Sequence, residues 1–174
     1  TPLTSPSIVL QSAHHEMLVD GLRRIFGEFN QDMLRRVLPR VDWVELAGGD
    51  TLFRQGEQDA SLYFVISGRL RAHREDDDGG TQVMGEIARQ ETVGEMAFFT
   101  GQPRSATVTA LRDSVLARFG HDVFRELLLA YPLIALNMTQ LIIERLQKAS
   151  AHRSSASRPV TIGVAAITPG VDLP

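Results

Sequence analysis

Hydrophobic positions divide the chain into three regions with different rhythms. Thr1 to Ala13 is polar, holds two prolines, and is expected to be a loose lead-in. From Glu16 onward, Leu18, Leu22, Ile25, Phe26 and Phe29 recur three and four positions apart, which predicts an amphipathic helix. Asn30 stands where it can cap a second, short helix with an apolar face of Met33, Leu34, Val37 and Leu38, ended by Pro39. The period then shortens. Val41–Leu46, Thr51–Gln55 and Leu62–Ile66 predict strands, and Leu70 and Ala72 alternate with Arg69, Arg71 and His73 as in a half-exposed strand. Asp76-Asp77-Asp78-Gly79-Gly80 predicts a hairpin turn, because Asp-Gly and Gly-Gly accept the positive φ that a tight turn needs. Val83–Ala88, the alternation of Ala106, Val108 and Ala110, and Val115–Phe119 complete a series of short strands separated by turns. That series points to an antiparallel sandwich or barrel.

The last region is helical again. Phe124, Leu127 and Leu128 fit a short helix, and Pro132 suits the first turn of a longer one running to about Ser150. Ile134, Met138, Leu141, Ile142, Ile143 and Leu146 make that helix apolar on more than one side, the pattern of a helix with two partners. His152 to Pro159 is linker-like. Thr161–Ile167 is expected to be a buried strand of a sheet that continues beyond Pro174. The expected organisation is a lead-in and helix over 1–30, one domain over 31–150, and a linker with the first strand of a following domain over 151–174.

Composition narrows the function. At 174 residues with 43% hydrophobic and 22% charged positions, the chain is long enough for one well-cored domain plus extensions. With no cysteine, thiolate metal sites, disulfides and cysteine nucleophiles are excluded. A net charge of −3 offers no broad cationic surface to nucleic acid. Leu127–Met138 is too short and too interrupted to span a bilayer, and Thr1–Ser12 lacks the marks of a signal peptide. The absent initiator Met is expected of a piece of a longer polypeptide. There is no Gly-x-Ser-x-Gly elbow, and His14, His15, His73, His121 and His152 show no metal-ligand spacing, so neither an enzyme active site nor a metal site is expected here.

The chemistry concentrates in Gly94-Glu95-Met96-Ala97-Phe98-Phe99-Thr100-Gly101-Gln102-Pro103-Arg104-Ser105-Ala106-Thr107-Val108. Val93-Gly94-Glu95 leads from a strand into one helical turn, whose free N–H groups suit an anion, and Gly94 lets the backbone approach closely. Arg104 can grip a phosphate with two parallel hydrogen bonds, while Glu95 can accept from a sugar hydroxyl. Acceptor and cation together suggest a nucleotide. The same two residues would equally suit a plain ion pair across the turn.

This string resembles the phosphate-binding cassette of the cyclic nucleotide-binding domain family: Gly-Glu-aliphatic-Ala, then Pro-Arg-small-Ala-Thr-aliphatic at the family's spacing. Leu52-Phe53-Arg54-Gln55-Gly56-Glu57 and Leu62-Tyr63-Phe64-Val65-Ile66-Ser67-Gly68 resemble its first turn and following strand. Asp59 departs from a small residue in a loop expected to lie away from the cassette. The resemblance covers about residues 30 to 150. It implies a mainly β fold with flanking helices, an eight-stranded double-stranded β-helix (jelly-roll) with a long C-terminal helix that moves on binding. It also implies that Glu95 accepts the ribose 2′-hydroxyl, that Arg104 neutralises the cyclic phosphate, that Gly94, Met96 and Ala97 supply backbone, and that Ser105 caps the phosphate. Phe124-Arg125 through Arg145-Leu146-Gln147 resembles the region of the bacterial catabolite activator family that leads into its dimer helix. That register puts Ser150 against the base and Arg145 near the phosphate side, although Ala149 replaces a hydroxyl residue. It also implies pairing of two copies through this helix.

The Arg104-Ser105-Ala106 run looks more like cyclic AMP sensors than cyclic GMP readers, so cyclic AMP is the regulatory ligand expected, with no catalytic cofactor. Arg158 to Pro169, ending Val171-Asp172-Leu173-Pro174, resembles the segment that joins such domains to the patatin-like esterase domain in neuropathy target esterase relatives. A lipid hydrolase is therefore the effector expected, in the cytoplasm or on the cytoplasmic face of a membrane. A transcription regulator lacking its DNA-binding part and an interaction domain that binds no nucleotide are the alternatives.

Overall fold

A computed structural model of the chain describes the backbone of residues 8–156 and the side chains of residues 13–148. Helix α1 spans Ile8–Phe26 and buries Leu18, Leu22 and Phe26. It starts inside the expected lead-in, because neither proline nor glycine interrupts the backbone between Ser7 and Asp20. Gly27, at φ +86°, closes it by donating to the Arg23 carbonyl, so Phe29 falls outside the helix yet stays buried against Phe26 and Tyr131. Helix α2 (Gln31–Val37) is capped as expected: Asn30 Oδ1 accepts from the Met33 N–H at 2.8 Å, and Pro39 lies in the closing 3₁₀ turn Leu38–Arg40.

Strands β1 (Asp42–Leu46), β2 (Thr51–Phe53), β3 (Leu62–Glu75), β4 (Thr81–Ala88), β5 (Thr92–Val93) and β6 (Thr107–Phe119) form one antiparallel sheet. Its path is β1-β6-β3-β4, with β2 also on β6 and β5 on β3. The seven strand segments expected from the pattern appear as five strands, because β3 and β6 each run unbroken through two of them, and the short β5, which the pattern did not mark, makes six among the described residues where the resemblance implied eight. The β3–β6 register shifts repeatedly between Val65 and Leu70, around Gly68 at φ +101°. A Cβ on Gly68 would lie 2.1 Å from Ser114 Oγ, so only glycine allows the two strands to bend together. Before the bend both faces of β3 are buried. Leu62, Phe64 and Ile66 pack with the helices, whereas Tyr63 and Val65 join Phe53, Leu70, Val93, Val108 and Leu116 inside the roll. That double burial accounts for the unbroken apolar run in β3.

Short helix α3 (Glu95–Thr100) follows β5, and α4 (His121–Ala130) and α5 (Pro132–Ala156) follow β6, with a bend of 113° between them. Phe98 of α3 stacks on His121 and Phe124 of α4, which holds α3 against the helical layer. Helix α5 extends past Ser150, so the first residues expected to be linker are helical. It buries Ile134 and Met138 and leaves Leu133, Leu136 and Ile143 largely exposed, matching the two-sided pattern. Among the described residues, no single helix is long and apolar enough to cross a membrane. The strand expected at Thr161–Ile167 lies outside the described residues.

Candidate ligand site

The cassette is built around an arginine turned inward. The Arg104 backbone is tied to the turn before β3 in both directions: its N–H donates to the Glu57 carbonyl at 2.9 Å, and its carbonyl accepts from the Gly56 N–H at 2.8 Å. Its side chain is 1% exposed, with the guanidinium carbon 4.1 Å from the centre of the Phe53 ring. Nη1 donates to the Gly94 carbonyl (3.1 Å); Nη2 donates to the Ser61 carbonyl (2.9 Å) and to Asp59 Oδ2 (2.7 Å). Gly94 adopts φ +95° at the start of α3, and a Cβ there would stand 2.6 Å from Arg104 Nη1 and 2.8 Å from the Ser61 carbonyl oxygen. The glycine is thus needed twice, for its dihedral and for the space beside the arginine.

Glu95, 4% exposed, sits on the first turn of α3 and does not pair with Arg104. Its Oε1 accepts instead from Nη1 of Arg145 on α5 at 2.5 Å, and Arg145 Nη2 donates to the Thr92 carbonyl. Oε2 of Glu95, Nε of Arg104 and Oγ1 of Thr92 are buried without a hydrogen-bond partner among the described residues. Buried polar atoms are normally satisfied, so the cassette holds an acceptor and a donor whose hydrogen-bonding capacity the protein leaves unused.

Asp59 is the residue whose place was least expected. Far from lying away from the cassette, its carboxylate takes donors from several directions. Oδ1 accepts from the Ser61 N–H (3.1 Å) and Oγ (2.8 Å), and Oδ2 from Arg104 and, at 3.5 Å, from the Tyr63 hydroxyl. Arg118 Nη2 lies 3.9 Å from Oδ1. Partial burial works to raise the Asp59 pKa, but the hydrogen bonds from Ser61 and Arg104 outweigh it and hold the carboxyl below its ordinary value. Burial, and then the Asp59 charge, push the Tyr63 hydroxyl up.

The structure therefore brings Gly94, Glu95 and Arg104 together, with Met96 half-buried and Ala97 buried in α3. Ser105 is exposed beside them. Arg145 reaches the site from α5, but on the Glu95 carboxylate rather than on the phosphate side where the catabolite-activator register placed it. Ser150 lies in α5, and its side chain is outside the described set. Missed in the sequence were Asp59, Ser61, Tyr63 and Thr92. The Asp59-x-Ser61 spacing of an Asx-type turn was the one available sign of the first two.

With this geometry in view, the comparisons with known proteins agree on the class. Residues 43–131, about half of the chain, match the profile of the cyclic nucleotide-binding domain. The chain belongs to that family. A crystallised cyclic nucleotide-binding domain from Methylobacillus flagellatus KT is similar in fold, with a TM-score of 0.72, 19% identity, and 86% of this chain and 88% of that one covered. The regulatory domain of Toxoplasma gondii PKA, crystallised with cAMP, aligns with a TM-score of 0.60 and 28% identity over 66% of this chain and 44% of that one. Among curated proteins, lysophospholipase nte1 of Aspergillus terreus is 35% identical over 133 residues, 74% of this chain and 8% of the enzyme. That of Aspergillus oryzae is 31% identical over 160 residues, 80% and 10% respectively. The chain thus spans about a tenth of the length of these relatives and corresponds to the cyclic nucleotide-binding region of distant lysophospholipases.

Proposed function

We propose that this domain is a regulatory module that binds a cyclic nucleotide, with cyclic AMP preferred, and passes a shift of α5 to an attached lipid hydrolase. The observation that carries this is the Glu95–Arg145 pair, because the residue assigned to the ribose is also the one that holds α5. A 2′-hydroxyl donating to Glu95 engages the same carboxylate, through Oε2 or in exchange for Arg145, and so acts directly on the helix. The ligand can move α5 only by as much as its affinities for the two helix positions differ. The lysophospholipase relatives support the hydrolase as effector, and the exposed Leu133, Leu136 and Ile143 support a second copy as the partner of α5.

The direct test is titration calorimetry of this chain with cyclic AMP and cyclic GMP. Saturable binding in the micromolar range, tighter for cyclic AMP, is the expected result; no saturable heat with either nucleotide would overturn it. One observation favours a second reading, an interaction domain that binds no nucleotide: both cassette charges already have protein partners, Arg104 in Asp59 and Glu95 in Arg145. The titration separates the two.

A further inference from the structure

The hydrogens of Arg104 are unequally committed. A guanidinium offers two parallel forks, Nε with Nη2 and Nη1 with Nη2, and both forks use Nη2. Here Nη2 gives its two hydrogens to the Ser61 carbonyl and Asp59, Nη1 gives one to the Gly94 carbonyl, and Nε–H is free. A two-pronged oxyanion cannot settle on this arginine without taking a hydrogen from Nη2. The Ser61 carbonyl is main chain at the entrance to β3 and cannot leave without unseating the strand. Asp59 is a side chain, 34% exposed, and can swing outward. It also sits where an anion is well served, with Ser61 N–H and Oγ, Tyr63 and Arg118 around the same carboxylate.

We propose that Asp59 is the resident anion of the phosphate subsite, and that a phosphate ester binds by exchanging with its carboxylate on Arg104. The inference deepens the function proposed above and rests on it for the identity of the ester. Exchange has two consequences. It weakens the site for every singly charged phosphate diester by the strength of the Asp59 contact, and so sets the ligand concentration at which the module responds. It also keeps a buried arginine charge-matched, so that the domain folds without its ligand.

Two variants test this, Asp59→Asn, which keeps an acceptor for the Ser61 N–H, and Asp59→Gly, which restores the small residue of the family pattern. Each is titrated with cyclic AMP and, separately, melted in rising inorganic phosphate. Exchange predicts that both bind cyclic AMP about tenfold or more tightly than the parent, since a charge-assisted hydrogen bond no longer has to be displaced. It also predicts that phosphate raises their melting temperature more than the parent's, and that Arg104→Gln in the Asp59→Asn background abolishes this gain. If the parent binds cyclic AMP and the variants bind it equally, with no phosphate effect, exchange is overturned while the cyclic nucleotide function stands. If phosphate stabilises the variants through Arg104 but none of the proteins binds a cyclic nucleotide, exchange stands and the function fails. Should one variant not fold, the other gives the same readouts.

Discussion

Arg104 and Arg145 enter the same site, and each holds a carboxylate, but they are held in opposite ways. Arg104 comes from the loop before β6, its main chain hydrogen-bonded on both sides to Gly56 and Glu57 and its guanidinium fully enclosed over Phe53. Arg145 comes from α5, is 31% exposed, and reaches the site from a helix whose opposite face lies open. Their partners are reversed: fixed Arg104 has a movable partner in Asp59, whereas movable Arg145 has a fixed partner in Glu95, 6% exposed at its side chain. In the function proposed above, Gly94, Glu95 and Arg104 form the fixed floor of the site, and the two partly exposed contacts are the ones that move, one to admit a phosphate and the other to release a helix. On that proposal, placing the floor and the moving contacts on separate elements is what lets binding energy gained at the floor be expressed in the position of α5.

Removing a floor residue should have the largest effect. Arg104→Ala deletes the proposed phosphate partner and leaves Asp59 with only the more distant Arg118, at 3.9 Å. Cyclic nucleotide binding is expected to weaken by about 2–4 kcal/mol, roughly thirty- to a thousandfold, measured by calorimetry. Unchanged affinity would remove Arg104 from the site. Gly94→Ala comes next. It forces a non-glycine residue to φ +95° and sets a Cβ 2.6 Å from Arg104 Nη1 and 2.8 Å from the Ser61 carbonyl oxygen. A loss of about 2–3 kcal/mol is expected in urea denaturation, with binding reduced in the fraction that remains folded. Stability within about 0.5 kcal/mol of the parent would show that the loop yields easily and that the floor is not rigid.

These contrasts also mark what could be seen without coordinates. The strands were legible because alternation, Gly-rich turns and the Asp76–Gly80 hairpin are local signals, and the Asn30 cap is local too. Their joining into two long bent strands was not, since it depends on Gly68 meeting Ser114, which are distant in sequence. Within the site, Gly94, Glu95 and Arg104 were legible because they lie on one short segment whose order reflects their chemistry. Asp59 and Arg145 were harder, being 45 and 50 positions from the groups they contact. Asp59 could be seen as an irregularity but not as a partner, because pattern gives no direction to a loop side chain. Arg145 was named as a candidate but expected near the phosphate side, whereas it bonds Glu95, because a helical register fixes which residue reaches a neighbouring element and not which group it meets there.

A smaller effect separates floor from latch. Glu95→Gln and Arg145→Gln both break the contact between α3 and α5, and both should speed amide hydrogen exchange along 132–148 by about tenfold, as expected for loss of one charge-assisted hydrogen bond. Only Glu95→Gln should also reduce discrimination between cyclic AMP and its 2′-deoxy analogue. Equal discrimination losses in both variants would mean that the ribose is read by Arg145 as much as by Glu95, and the division into fixed and movable partners would fail.

The smallest effect concerns the Asp59 contact and appears in acid. Ser61 and Arg104 hold the folded-state pKa of Asp59 below its unfolded value, even though burial opposes them. A carboxyl lowered on folding contributes stability that is complete above the unfolded value of about 3.9 and is lost as pH falls through the lower, folded value. Melting temperature followed from about pH 6 to about pH 2 should therefore fall less steeply in Asp59→Asn, which has no charge to lose there, than in the parent. At neutral pH the variant should be less stable by about 1 kcal/mol, a modest figure because a third of the Asp59 side chain is open to solvent screening. Asp122, held low by the Val123 N–H and Arg40, and Glu86, held low by Arg71, lie at the surface and titrate alike in both proteins, so the difference between the two curves isolates Asp59. Parallel acid limbs would mean that Asp59 makes no net contribution against Arg104, and that this contact is too weak to hold a phosphate off.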